Sequence, residues 1–402
     1  MRNRLKIFLC SMLLLLCMAG NVFAQEDSGK ESTAEGIIIG IAVYNPDDAQ
    51  TKAFRAYYEE YLGAAFDAEF IYSDSILTWE DEKAFVDELH ERGAKGIISS
   101  SSADREAVME LCQEYGMYYI FGSSSLSGEA FDAIKDNPYF LGTIGASDET
   151  ETQAGAGMAD FFAKEDTQKE HSYLICTGGA GMGTEMHRLR GLAMLKELAD
   201  CYGFTYDTPA EELILATETT EAANDAGVKI VILPGYPYQG TLEEETARLL
   251  GDGSLDTVMS TMCVNSQMDG IREAENANDM EIRVGSIDCF TQEAYEYFNG
   301  VHNGGKQELD YLVGRYGACV APAFAAVCNA SAGYAQDFRD NGAAFALEQN
   351  LWTASNVDEF NEKYALSIGI YENTYSATDI MEVLKEYNPD VTFQDFKEFA
   401  QR

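Results

Sequence analysis

The side chains best placed for chemistry in this chain stand where short apolar runs give out. The run IIIGIAVYN (37–45) ends in Tyr44 and Asn45, KGIISS (95–100) leads through serines 99–102 to Asp104, and MYYIFGSS (117–124) ends in Ser123 and Ser124. Further along come Asp148, the stretch 185–190 with Arg188 and Arg190, then Tyr236, Tyr238, Asn265 and Asp288. Such a mixture suits a neutral polyol. Aromatic faces cover the apolar C–H side of a pyranose, while Asn, Asp and Arg make paired, charge-assisted hydrogen bonds to its hydroxyls.

Signatures of bond-breaking chemistry are weak. Gly178, Gly179, Gly181 and Gly183 form a glycine-rich strand-to-helix turn, but neither dinucleotide spacing nor a Walker lysine and hydroxyl follows, and a tight turn accounts for them. His90, His171, His187 and His302 are the only histidines, none at metal-ligand spacing with another histidine or a cysteine, so no metal and no cofactor is expected. No G-x-S-x-G elbow occurs. With 68 Asp and Glu some carboxyls must meet, which keeps an exported carbohydrate-active enzyme with an Asp/Glu pair as an alternative without positive support.

The elements that must position these residues alternate. The run at 37–45 has the continuous apolar character of a parallel strand buried on both faces. Phe54, Tyr57, Tyr58, Tyr61 and Leu62 recur at intervals of three and four, which predicts a helix over 48–62. Strands at 68–74, 95–100 and 117–124 follow, with helices at 80–92 and 103–115 between them. A second set comprises strands at 139–147, 172–179, 229–235, 257–265 and 282–288, separated by helices ending near Lys164, Tyr202, Leu250 and Asn276. Parallel neighbours need crossover connections, so the pattern predicts two α/β lobes, each a parallel sheet covered by helices. The segment 205–227 fits poorly and reads as an insertion, with ELILAT as a possible short strand. Beyond Tyr311 the spacing predicts helices at 321–337 and from Ser376 to Tyr387, and FALEQNLWTA (345–354) is strand-like.

The amino terminus has the three parts of a secretory leader: Arg2, Arg4 and Lys6, an apolar run to Ala19, and Val22 and Ala24 before Gln25. Cleavage is expected after Ala24, followed by a polar tether at 25–35. A retained anchor would need about 20 apolar residues, more than this run supplies. Cys17 follows four leucines and lacks the small residue a lipid-acceptor cysteine wants before it, so a lipid tether is the weaker alternative. The 402 residues less the 24 of the leader leave 378, enough for two lobes, and 46% hydrophobic residues can fill both cores. The formal charge of −41 becomes −44 once the leader's three basic residues are gone, which argues against nucleic acid as a partner. The seven cysteines beyond the leader lack CxxC spacing and read as mostly free and buried, with one disulfide left open. Unpaired thiols in an exported protein point to a weakly oxidising or anaerobic habitat.

In order and spacing, IGIAVYN, GTEMHRLRGLAML (183–195), TMCVNSQMDGIREA (261–274) and VGSIDCF (284–290) together resemble the type 1 periplasmic binding proteins, in particular the ribose-binding-like sugar receptors of ABC importers. The resemblance covers nearly the whole mature chain. It implies two Rossmann-like lobes with parallel sheets joined by a three-segment hinge, with crossings near Ser147, Arg315 and Phe345. The lobes would be 36–146 plus about 317–345, and 147–315 plus about 346–402. It implies a monomer at the periplasm or cell surface that closes on a monosaccharide and delivers it to an ABC permease, or feeds a sensor kinase. In such receptors the arginine at the Arg188 position contacts the sugar, as do the asparagine and aspartate at Asn265 and Asp288. A further contact lies near Arg315, where an amide is usual; the positive charge here implies an acidic sugar or a pairing with Asp288. Tyr44, Asn45, Asp104 and Tyr238 complete the expected set. Simpler roles stand beside these: Asp288 and Asp104 as helix caps, Asn45 before Pro46 as a turn residue, Tyr44 as core, and Arg188 paired with an acid that offsets its poor place at a helix start.

Overall fold

Near-continuous apolar runs become buried strands throughout the computed structural model, which describes residues 36–165, 170–180, 185–235, 241–368 and 373–402. The expected leader and tether lie outside the described residues, as do Tyr236 and Tyr238. The first lobe opens with β1 (Ile38–Val43), buried at five of its six positions. The helix after it starts at Asp48, which caps α1 (Ala49–Ala56). It runs on through a π-helical turn (Tyr57–Leu62) to Gly63–Phe66, beyond the predicted end at Leu62, because Phe66 extends the same buried face. Then follow β2 (Glu69–Ser75), α2 (Trp79–Glu91), β3 (Gly96–Ser99), α3 (Arg105–Tyr115), β4 (Tyr118–Gly122) and β5 (Phe140–Gly145).

The second lobe is built from α4 (Asp148–Glu165), β6 (Tyr173–Thr177), α5 (Glu185–Tyr202), β7 (Thr220–Glu221), β8 (Ile230–Pro234), α6 (Thr241–Leu250), β9 (Thr257–Ser260), α7 (Met268–Asn278), β10 (Arg283–Phe290), α8 (Gln292–Phe298) and β11 (Tyr311–Tyr316). The chain goes on to α9 (Ala321–Asn329), β12 (Phe345–Glu348), β13 (Trp352–Ala354), α10 (Val357–Ile368), α11 (Ala377–Val383) and α12 (Phe393–Ala400). One sheet has the order β12-β5-β4-β3-β1-β2 and the other β13-β11-β10-β9-β6-β8-β7. The first is parallel throughout; the second is parallel except at its edges, where β13 and β7 run antiparallel to β11 and β8.

Several expectations are corrected here. ELILAT is not a strand: Ala210–Leu213 is a short helix that buries Leu213, and the extra strand is β7. The strand-like run 345–354 splits into β12 and β13, which join different sheets, so that crossing falls at 349–351 and not at Phe345. The carboxyl-terminal segment divides: β13 joins the second sheet and α10 packs on β13 and β10, but α11 and α12 leave the second lobe. Phe345 of β12 meets Phe393 and Phe396 of α12, and Asn329 of α9 bonds the Val383 carbonyl of α11, so these helices cover the first sheet. A second long apolar stretch also exists: the 22 residues Gly317–Phe338 match a membrane span in length and hydropathy but are mostly buried, and all nine residues of α9 are core. None of the seven cysteines among the described residues forms a disulfide; six are buried and Cys201 is exposed.

Gln349 ties the connections between lobes together. Its backbone N–H bonds Gly145 O at 2.9 Å, at the end of the first connection. Its side-chain amide donates to Cys319 O at 2.8 Å, beside the second. Next to it, Glu348 accepts from the Ser147 hydroxyl at 2.6 Å.

Candidate ligand site at the lobe junction

Parallel sheets expose binding groups beyond the carboxyl ends of their strands, and here the ends of the two sheets meet. Arg315, the fifth residue of β11, crosses from the second lobe and donates from Nε to Ser123 O at 2.8 Å, at the end of β4. Ser123 takes a left-handed backbone (φ 59°), uncommon for a residue with a Cβ. Arg315 Nη2 also reaches Glu151 Oε1 at 3.3 Å, and Arg190 Nε holds the other oxygen of the same carboxylate at 2.6 Å. Arg190 Nη1 in turn donates to Thr261 O at 2.9 Å, just past β9. All three charged side chains are buried. Burial alone would raise the Glu151 carboxyl, but the Arg190 and Arg315 guanidiniums outweigh it and hold it below the usual carboxylate range.

Beside this triad the polar groups are less satisfied. His187 lies on α5 one turn before Arg190, and burial, then the Arg190 and Arg315 charges, push its imidazole down to about 3, so it is neutral. Its Nδ1 is buried without a partner, as are the hydroxyls of Thr177 at the end of β6 and Ser266 after β9. Asp288, part-buried on β10, is pushed up to about 7 by burial and by the charge of Asp48 from the first lobe, against the Cys263 thiol hydrogen bond and Arg190. On the first-lobe side a cavity is lined by Val43, Gln50, Thr51, Ser100, Ser123 and neighbouring residues. Its serine loop is held from behind by Glu82, a buried carboxyl that accepts from the Ser102 hydroxyl and from the Ala103 and Asp104 N–H groups at 3.0, 2.8 and 3.3 Å.

The expected site residues separate on this geometry. Asp288 and Arg315 lie on adjacent strands one register step apart, with Asp288 opposite Gly314 and Arg315 opposite Cys289, and Asn265 opens the turn Asn265–Gln267 after β9. Arg315 pairs with Glu151 and not with Asp288. Arg188 turns to the surface, where its guanidinium is held by Glu185 one turn earlier, the acid partner its helix-start position demanded. Asp104 caps α3 by accepting the Ala107 N–H at 3.1 Å and is exposed. Asn45 makes a turn, accepting the Asp47 N–H at 3.0 Å, and Tyr44 is 51% exposed rather than core. Glu151, Arg190 as the inward arginine, Glu82 and Asp48 were missed. For Arg190 a signal existed: it precedes the buried Met194 and Leu198 by four and eight residues, the spacing of the inward helix face.

No protein-family profile and no curated protein matches the chain. Solved structures do. A Bacillus halodurans ABC transporter solute-binding protein with bound myo-inositol aligns over 84% of this chain and 99% of its own, at 17% identity and a TM-score of 0.53. An Actinobacillus succinogenes ABC transporter periplasmic solute-binding protein with bound D-allose aligns over 81% and 99%, at 11% identity and 0.57. A Caulobacter myo-inositol binding protein bound to myo-inositol aligns over 84% and 98%, at 14% identity and 0.53. The chain therefore has the type 1 periplasmic binding protein fold, as the resemblance implied.

Proposed function

We propose that this protein is an extracytoplasmic solute-binding protein that captures a small neutral polyol, a sugar first among them, between its lobes and delivers it to an ABC permease at the periplasm or cell surface. The observation that carries this reading is the junction itself, where Arg315 of the second lobe reaches Ser123 O of the first beside a buried His187 Nδ1 that lacks a partner. Both junction guanidiniums are already engaged by Glu151 and by backbone carbonyls. That leaves acceptors and neutral donors for hydroxyls, which favours a neutral sugar over an acidic one. Similar solved structures carry myo-inositol and D-allose, which makes pyranoses and cyclitols the first ligands to test. The protein acts as a monomer without a cofactor, and its action is hinge closure: a ligand touching both lobes binds the closed form better and shifts the population toward it.

A thermal-shift screen over monosaccharides, inositols, uronic acids and nucleosides tests this reading. One neutral polyol is expected to raise the melting temperature, by an amount that grows with its concentration as mass action requires, and to be recovered unchanged. A chemically altered sugar would favour the enzyme instead, and a response confined to uronic acids would contradict the neutral-ligand assignment.

A further inference from the structure

The carboxyl of Glu82, on α2 and only 1% exposed, divides its hydrogen bonds unevenly between its two oxygens. Oε2 takes the loop after β3: the Ser102 hydroxyl at 3.0 Å, the Ala103 N–H at 2.8 Å and the Asp104 N–H at 3.3 Å. Oε1 takes the hydroxyl of the buried Tyr119 on β4 at 3.3 Å. All four partners are neutral donors. A carboxyl taken out of water without a base beside it costs stability, and burial raises this one above its ordinary value against the pull of those donors. What it supplies in return is one acceptor for three donors of a loop that neither β3 nor α3 can satisfy.

Strand register sets that loop beside the lobe junction. Ser99 pairs with Ala42 of β1 on one side and Phe121 of β4 on the other, and the Ser100 N–H bonds Ala42 O at 3.0 Å. Ser100 therefore comes to lie between Val43 and Gly122, and all three line one cavity with Ser123, whose carbonyl accepts from Arg315 of the second lobe. From inside, the Ser99 hydroxyl accepts the Ser101 N–H at 3.1 Å and donates to Ser101 O. Between Ser99 and Glu82 the loop is fixed at both ends. Ser100 stays exposed, and its hydroxyl reaches nothing nearer than Ala42 O at 3.4 Å.

We propose that Glu82 is a positioning residue for ligand capture: its Oε2 fixes the backbone from Ser102 to Asp104 so that the Ser100 hydroxyl stands ready for a hydroxyl of a neutral polyol. The contact made by Ser100 rests on the sugar-capture reading; the hold of Glu82 on the loop does not. A loop ordered beforehand adds no entropy cost when the ligand arrives, so Glu82 raises affinity without touching it. The loop requires an acceptor and not a charge, because its three donors share one oxygen. Glutamine offers that oxygen, and its amide can donate to the Tyr119 hydroxyl.

Hydrogen exchange of the ligand-free full chain tests the hold on the loop. The Ala103 and Asp104 amides should be protected in the parent and in Glu82→Gln, and should exchange at least about tenfold faster in Glu82→Ala. Equal exchange in Glu82→Ala and the parent would overturn the proposal. Calorimetry with the best sugar from the screen tests the consequence. Glu82→Ala should weaken binding roughly tenfold, Glu82→Gln should stay within about threefold of the parent, and Ser100→Ala should cost roughly two- to tenfold. In a Glu82→Ala background, Ser100→Ala should cost little more, because the hydroxyl it removes is no longer held in place. Losses that simply add would mark Glu82 as a support of the fold alone and overturn its positioning role, as would a Glu82→Gln that binds as weakly as Glu82→Ala. The absence of any sugar ligand would count against the capture reading and leave the exchange result to decide whether Glu82 orders the loop.

Discussion

Replacing Glu151 by alanine is expected to destabilise the folded protein by about 3–5 kcal/mol, the largest stability loss of any single polar substitution at the junction. Glu151 is 3% exposed, and it is the carboxylate that both Arg190 (3%) and Arg315 (8%) hold. Removing it leaves two buried guanidiniums with backbone carbonyls as their remaining partners, Thr261 O and Ser123 O. A buried charge without its counter-ion costs far more than the intact pair contributes. Close packing prevents escape, because α4 and α5 touch backbone to backbone: a Cβ on Gly155 would lie 2.1 Å from Arg190 O. Urea titration reads the loss as a shift of midpoint at constant slope. Replacing all three members by apolar residues of similar volume should cost much less, since no charge is then stranded. A Glu151→Ala midpoint within about 1 kcal/mol of the parent would show that the triad is not buried as described. The triad also has a pH signature. Glu151 is held below the ordinary carboxylate range, so its contribution is full above that range and is lost only as pH falls through its lowered value.

Asp288→Ala should act in the opposite sense on stability and binding. Burial, then the charge of Asp48, raise the Asp288 carboxyl to about 7, so its removal should leave the melting temperature at about pH 8 unchanged or raised. Binding of the sugar found by screening should weaken by roughly 10- to 100-fold, the range for losing a hydrogen bond to a charged group. Calorimetry and a melting curve on one preparation read both. Unchanged affinity would remove Asp288 from the site, and a large drop in melting temperature would make it a structural residue.

The alternation of strand and helix was legible because a parallel strand covered on both faces has to be apolar along its length, and β1, β4, β6 and β8 are. The joins between lobes were not. Gln349 interrupts an otherwise strand-like run with a buried amide whose partner, Cys319 O, lies 30 residues away. β11 was unassigned because its fifth residue is Arg315, whose charge is neutralised by a carboxylate 164 positions earlier. At the candidate site, the strand-end rule pointed to Asp288 and the serine loop but could not tell a residue with a side chain left for a ligand from one that holds another in place. Glu82 and Glu151 are of the second kind; each sits within a helix, among other acids, with nothing local to mark it as buried. The choice between Arg188 and Arg190 turned on helix phase, and phase favoured the residue that motif order did not.

The central claim is that a sugar draws the two lobes together. It is tested most directly by spin labels on Ala103→Cys in the loop after β3 and Glu185→Cys at the start of α5, both exposed, in a chain whose exposed Cys201 is changed to serine. Pulsed electron resonance should show the label separation shortening and its distribution narrowing as the sugar saturates the protein, with the sugar recovered intact. A separation that stays the same with the sugar demonstrably bound would contradict closure as the working step of this protein.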